Sequence, residues 1–333
     1  MRGRVRWLPV VAFGTVLAAG QACGPFPAPT QPTAVGLAIP GARALTDDGA
    51  YYETPAWSPD GRYLAAFRSY RISGDNVPPS PLPEGPLLID VVSGGQEAVA
   101  LLPSLAEKGA SGPVLWRPGG EGITFYSFDL SGAQNSPTLV TYRLDSVDIT
   151  TVDFCRCGLV AFNAEGNGIL VLGPSEESFE LGWFNLATGE NIQELSLVRS
   201  APREHRYFYL ALSPDRRQLL LDDLDGTVFI YEMGSGQAPV PFLTSAASPG
   251  WSPDGSKVIY ASLLADGDYY SGQLMIANAD GSSPEFLFAA TQPAGMLFPA
   301  WSPDGTQIAF VYGTQHSNRL MVVEVPDRLR PGG

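Results

Sequence analysis

The chain is short of cations. Its 333 residues include 2 Lys and 18 Arg against 34 acids, a formal charge of −14. So acidic a balance, with no basic cluster to offset it, repels phosphate backbones and excludes nucleic acid as a partner. Histidine is rarer still. His205 and His316 form neither an H-E-x-x-H motif nor a His cluster, which excludes a His-rich metal site. No G-x-S-x-G elbow is present, so the nucleophile of the α/β-hydrolases is missing. Cysteine is confined to Cys23, Cys155 and Cys157. The last two cannot supply the four ligands of a closed structural zinc site. They stand at i and i+2, where a strained disulfide competes with a default of packed thiols. The uncharged, mostly apolar run Trp7–Gly20 has 14 residues, short of the roughly 20 that span a bilayer as a helix.

What the chain does have is turn and core. Hydrophobic residues make up 44%, charged ones only 16%, and there are 37 Gly and 30 Pro. That is the balance of a strand-and-turn protein.

Residues 1–22 read as an export signal: Arg2, Arg4 and Arg6, then the apolar run, then Gly20-Gln21-Ala22 before Cys23. Its removal takes three positive charges and shifts the net charge from −14 to −17. The segment resembles a bacterial lipoprotein signal, which implies that Cys23 is acylated and becomes the mature N-terminus. Plain cleavage after Ala22 is the competing reading, and an uncleaved anchor is a third. Residues 23–41 carry Pro25, Pro27, Pro29, Pro32 and Pro40 with almost no charge, the composition of a semi-rigid spacer.

An internal repeat sets the expected architecture. WSPDG occurs at Trp57–Gly61, Trp251–Gly255 and Trp301–Gly305, with altered copies at Trp116–Gly120, Phe162–Gly166 and Leu212–Arg216. The lead residues are separated by 59, 46, 50, 39 and 50 positions. Seven residues after each stand Leu64, Ile123, Ile169, Leu219, Val258 and Ile308; nine after stand Ala66, Phe125, Val171, Leu221, Tyr260 and Phe310. All six copies thus point apolar side chains to one strand face at period two. In each turn Pro presets φ, Asp accepts local backbone hydrogen bonds and Gly supplies positive φ.

Third strands are predicted at Leu87–Val92, Thr138–Arg143, Phe179–Leu186, Thr227–Glu232, Gln273–Asn278 and Arg319–Glu324, and fourth strands as at Glu97–Leu102 and Glu285–Ala290. Four antiparallel strands per unit make a propeller blade. The expected fold is therefore all-β: a six-bladed β-propeller over residues 42–327, followed by a tail, 328–333. The sixth unit has no fourth strand of its own, whereas Ala42–Thr46 precedes the first unit without a partner. Pairing the two is expected to close the ring and protect open edges.

These residues resemble the TolB-like propeller repeat, which also builds the propellers of prolyl-oligopeptidase-type peptidases. The resemblance covers residues 42–325 and implies a fold, not an activity. The N-terminal α/β domain of TolB itself has no counterpart here.

Catalysis finds little footing. The turn sequence fails the sialidase pattern S-x-D-x-G-x-x-W, so its Asp residues read as turn formers. Asp222-Asp223-Leu224-Asp225-Gly226 lacks EF-hand spacing, and its Asp-Gly pair reads as a hairpin turn. Trp57, Trp116, Trp251 and Trp301 recur at one register and read as core; the side taken by Trp183 is open. The connections between strands two and three, and between blades, share one rim, opposite the short turns. On that rim the candidate partner-binding residues are Tyr51, Tyr52, Arg203, His205, Arg206, Tyr207, Asp268, Tyr269 and Tyr270, the residue types that recognition surfaces use. The alternative is that they are solvated loops with Tyr covering blade ends.

The functional expectation is a non-enzymatic, monomeric, extracytoplasmic binding module without a cofactor. It is held to a membrane through Cys23 and takes an envelope protein or cell-wall component. The alternative is an enzyme or glycan-binding module that uses acidic residues around the central channel.

Overall fold

Each turn builds the same hairpin from its own side chains. In the computed structural model, Ser58 Oγ accepts from Tyr63 N at 2.8 Å and donates to Asp60 Oδ1 at 2.5 Å, which in turn accepts from Arg62 N at 3.1 Å. Ser213/Asp215, Ser252/Asp254 and Ser302/Asp304 repeat this arrangement. The serine, which the sequence reading left without a role, thus bridges the two ends of the turn. It is buried in all four copies.

The structure describes residues 41–69, 85–98, 108–129, 138–144, 149–153, 158–174, 179–197, 207–223, 225–263, 272–287, 295–313 and 318–332. They form six four-stranded antiparallel sheets, the blades of a β-propeller. Blade 1 runs Tyr51–Trp57, Tyr63–Ser69, Gly85–Asp90, Gln96–Ala98; blade 2 runs Lys108–Trp116, Gly122–Asp129, Thr138–Arg143, Ile149–Asp153. Blade 3 is Gly158–Phe162, Gly168–Pro174, Phe179–Asn185, Asn191–Leu197; blade 4 is Tyr207–Leu212, Gln218–Asp223, Thr227–Glu232, Val240–Thr244. Blade 5 comprises Ala246–Trp251, Lys257–Ser262, Gln273–Asn278 and Glu285–Phe286. Blade 6 comprises Gly295–Trp301, Gln307–Gly313, Asn318–Glu324 and, as its outer strand, Ala42–Ala44. There Ala42 faces Val323 and Ala44 faces Met321.

The second strand of each blade is buried on both faces, not on one. Leu64 and Ala66 pack into a cluster with Ala309 and Val311 of blade 6. Ala65 and Phe67, from the other face of the same strand, pack with Ile123 and Phe125 of blade 2. The same relation recurs between Leu170 and Leu172 of blade 3 and Leu219 and Leu221 of blade 4. Odd and even positions therefore serve the two neighbouring blades, and period two reports which neighbour, not inside against outside. Each fully buried Leu or Ile here contributes about 1.5–3 kcal/mol.

The tryptophans tie the innermost strands together. Trp57 Nε1 donates to Ala300 O at 3.0 Å, Trp116 to Ala56 O at 2.9 Å and Trp251 to Ala211 O at 3.1 Å. In each case the acceptor precedes the lead residue of the blade before. Trp301 Nε1 is buried without a partner. Trp183 packs against the buried cluster shared by blades 3 and 4, as do Leu210 and Leu212.

Candidate functional site

The long-loop rim is best described where blades 1 and 6 meet. The chain leaves its outer strand through Thr46, whose Oγ1 accepts from Leu320 N at 3.0 Å. It then turns at Asp48 and Gly49, with Asp48 Oδ1 accepting from Ala50 N at 3.1 Å and Gly49 at φ 73°. This loop aligns the other Asp48 oxygen, Oδ2, to pair with Arg68 and to accept from the Tyr52 hydroxyl at 2.9 Å. Beside it Asp47 pairs with Arg319 at 2.7 Å. Asn318 grips the Tyr52 backbone from both sides, accepting from its N–H at 2.6 Å and donating to its carbonyl at 2.9 Å. Two carboxylates thus meet two guanidiniums on a rigid seam. Burial pushes the Tyr52 phenol well above the usual tyrosine range, and the Asp48 carboxylate adds to the shift.

This corrects two of the candidate partner-binding residues. Tyr51 and Tyr52 are 7% and 0% exposed, so neither ring offers a surface to a partner. Tyr52 is a seam residue, covering a blade end.

Inside the ring, Tyr209 of blade 4 and Phe298 of blade 6 bring their rings to 4.9 Å. Non-neighbouring blades meet only across the central axis, so these two side chains stand in the channel. The innermost strands of blades 1, 5 and 6 also share a strained step. Thr54, Ser248 and Phe298 have φ of 45°, 51° and 54°, each precedes a proline, and the ladder slips a register there. Left-handed backbone at a β-branched or bulky residue costs on the order of 1–3 kcal/mol. The packed blades hold it in place.

Two carboxylates are fully buried near this step. Asp222 Oδ2 accepts from Ser248 N at 2.7 Å. Asp223 Oδ1 accepts from Asp225 N at 3.0 Å and Thr227 N at 2.8 Å, building the hairpin turn around Gly226. Among the described residues, no three His, Cys, Asp or Glu side chains stand together as a metal site.

The acidities follow the turns. The Ser58 hydroxyl, then the Arg62 N–H, hold Asp60 below the usual carboxylate range; Ser213 and Ser282 hydroxyls do the same for Asp215 and Asp280. Burial raises Asp254 and Asp304, but backbone and hydroxyl donors outweigh it and the net shift is down. The Arg117 guanidinium lowers Glu121. A carboxyl held ionised is a poor proton donor, whereas a general acid needs a raised pKa.

No family model matches the chain. A 70-residue segment is 33% identical to the Tol-Pal system protein TolB of Thioalkalivibrio sulfidiphilus, covering 21% of this chain and 16% of that protein. An uncharacterized protein of Agrobacterium fabrum is 26% identical over 294 residues, 78% of this chain and 84% of its own. Among solved structures, TolB from Acinetobacter baumannii superposes with a TM-score of 0.57 at 17% identity, over 78% of this chain and 59% of that one. The fold is TolB-like. The chain spans less than two thirds of the TolB proteins it matches. The same architecture serves an enzyme: oligogalacturonate lyase in complex with manganese superposes with a TM-score of 0.54 at 14% identity, over 86% of this chain and 80% of that one.

On this TolB-like propeller the remaining candidate residues are unevenly placed. Tyr207 opens the innermost strand of blade 4, opposite Asp223. Cys23, Cys155, Cys157, Arg203, His205, Arg206, Asp268, Tyr269 and Tyr270 lie outside the described residues. Sequence reasoning missed Arg68 and Asn318. Their signal was faint: a polar residue beside the loop joining strands two and three, Arg68 before that loop in blade 1 and Asn318 after it in blade 6.

Proposed function

We propose that this TolB-like propeller is a non-enzymatic, extracytoplasmic binding module. It is anchored through Cys23 and presents its long-loop rim to an envelope protein or cell-wall component. One observation carries the reading. The described carboxylates with displaced acidity all move down and serve turns or ion pairs, whereas unlike loops on a rigid ring are free to specialise in recognition. The export signal and the likeness in fold to TolB support the location. The chain enters the propeller at Ala42, on the short-turn rim, because Ala42 faces Val323 near the end of a strand whose successor, Val325, bonds Thr306 of a turn. The long-loop rim is the opposite one.

The test is binding by the full chain to isolated envelopes, followed by cross-linking and identification of what is held. Replacing Arg203 and Arg206 with Ala is expected to weaken binding by about 1–4 kcal/mol with thermal stability nearly unchanged. Replacing Asp60 or Asp254 is expected to lower stability and spare affinity. Binding that survives changes across the whole long-loop rim overturns the proposal. So does turnover of oligogalacturonate with manganese, which would favour the enzyme reading.

A further inference from the structure

Neighbouring turns are fastened to each other by their own residues. A methyl group placed on Gly61 would lie 3.7 Å from Pro303 of the turn before, on Gly120 3.7 Å from Pro59, on Gly166 3.4 Å from Pro118, and on Gly255 3.6 Å from Pro214. Behind three of these contacts an indole N–H, from Trp57, Trp116 or Trp251, reaches the innermost strand of the blade before. Between blades 2 and 3 Arg117 donates to Gly166 O, and between blades 3 and 4 Arg216 donates to Phe162 O. Five of the six joints are thus closed by residues of the turns and innermost strands that meet there.

The joint of blades 5 and 6 is built otherwise. Trp301 Nε1 is buried without a partner. The residue before the lead residue of blade 5 is Gly250, where the other three blades place Ala300, Ala56 and Ala211 as acceptors. Over Gly305 the three nearest atoms all belong to Pro331 of the tail, with Cγ 2.8 Å and Cδ 3.1 Å from where a Cβ would be. Pro331 therefore takes the seat that a turn proline takes over Gly61, Gly120, Gly166 and Gly255.

The segment that brings Pro331 there touches both blades. On blade 6, Val325 N donates to Thr306 O at 2.8 Å. The short 3-10 turn Asp327–Leu329 follows, with Leu329 buried. Arg330 folds back on it, donating from Nε to Val325 O at 2.9 Å and pairing with Asp327 at 2.9 Å. On blade 5, Arg328 pairs with Glu285 of the outer strand at 3.3 Å, and Gly332 lies beside Asp254 of the turn, 3.8 Å from where its Cβ would be. Both partners of the Arg328 pair are more than half exposed, so the pair adds little and Leu329 and Pro331 carry the hold. A fastener inside a turn moves only with its blade. One carried on a segment outside the sheets lifts away without breaking a bond of any blade.

We propose that residues 326–332 form a latch across the joint of blades 5 and 6, and that this joint opens when the latch lifts while every blade stays folded. The latch acts on the short-turn rim, whatever the long-loop rim binds. Hydrogen exchange of the full chain, followed by mass spectrometry, is compared between wild type and Leu329→Asp. The turns at 252–257 and 302–307, which meet at this joint, are expected to exchange about ten- to a hundredfold faster, the scale set by loss of one buried leucine anchor. The turns at 58–63 and 163–168 keep their wild-type rates, and the chain keeps a cooperative melt. Leu329→Ala, the milder change, gives the same pattern at smaller amplitude. Unchanged exchange at 252–257 and 302–307 in both variants, or equal acceleration at all four turns, overturns the proposal. So does loss of the cooperative melt in both variants, which would make the segment part of the ring's fold and not a latch upon it.

Discussion

The turn of blade 1 and the turn of blade 3 share one geometry but few residues. In blade 1, Ser58 Oγ accepts from the N–H five residues on, Tyr63. In blade 3, Asn163 Oδ1 takes that place, accepting from Gly168 N at 2.9 Å and Asn167 N at 3.1 Å. The lesson is that different side-chain acceptors serve at the second turn position, and that the backbone can close the turn without one: in blade 2 that position is Arg117, which donates to Glu121 instead. Lost tryptophans are covered in the same spirit. Around Phe162, Arg117 of blade 2 sets its guanidinium 5.7 Å over the ring and donates to Gly166 O at 3.0 Å. From the other side, Arg216 of blade 4 donates to Phe162 O at 3.4 Å. Arginine stitches neighbouring turns where an indole does so elsewhere.

The comparison breaks hardest at the tryptophans. Trp57→Ala is expected to cost about 3–5 kcal/mol in denaturant unfolding, since it empties a cluster shared by two blades. Trp57→Phe keeps most of the packing but strands Ala300 O, whereas Trp301→Phe removes a donor already unpartnered. The first should therefore cost about 1–2 kcal/mol more than the second. Equal costs would mean that the indole bonds do not matter.

The turn acceptors come next. Ser58→Ala is expected to cost about 1–3 kcal/mol by leaving Tyr63 N without its acceptor. Asn163→Ser, which keeps an acceptor, should cost less by the same chemical-melt measurement. A smaller effect is expected at Arg216, which occupies the glycine position of its turn at φ 62°. Arg216→Gly relieves that left-handed backbone but removes the long bond to Phe162 O at 3.4 Å, so the two should offset to within about 1 kcal/mol of the wild-type stability in the same melt.

The mildest change is with pH. The turn carboxylates Asp60, Asp215, Asp254 and Asp304 have folded pKa values below their ordinary range. Their contribution is present above the unfolded carboxylate value, about 3.9, and is lost as pH falls through the lowered folded values. Urea midpoints should therefore fall on acidification below about pH 4. Changing the four to Asn should flatten that dependence; an unchanged slope would assign acid sensitivity elsewhere.

Legibility in the sequence followed the range of the interactions. The six turns and the third strands were readable to within a residue or two, as at Thr138–Arg143 and Gln273–Asn278. The role of Ser58 was legible in principle, since it repeats with the motif, yet it needed the geometry to be seen. The seam was not legible. Tyr52 reads as an aromatic in a charged loop, and its burial depends on Asn318, 266 residues away.

By itself, then, the sequence determined the blade count, the hairpins and the apolar register of the second strands. Each rests on bonds or periodicities spanning a few residues, so each leaves a local pattern. The tertiary structure decided which neighbour each strand face serves, that Tyr51 and Tyr52 are covered, and that the tail's Pro331 reaches Gly305. These outcomes depend on packing between segments far apart in the chain, and nothing in the local sequence of either partner records the other.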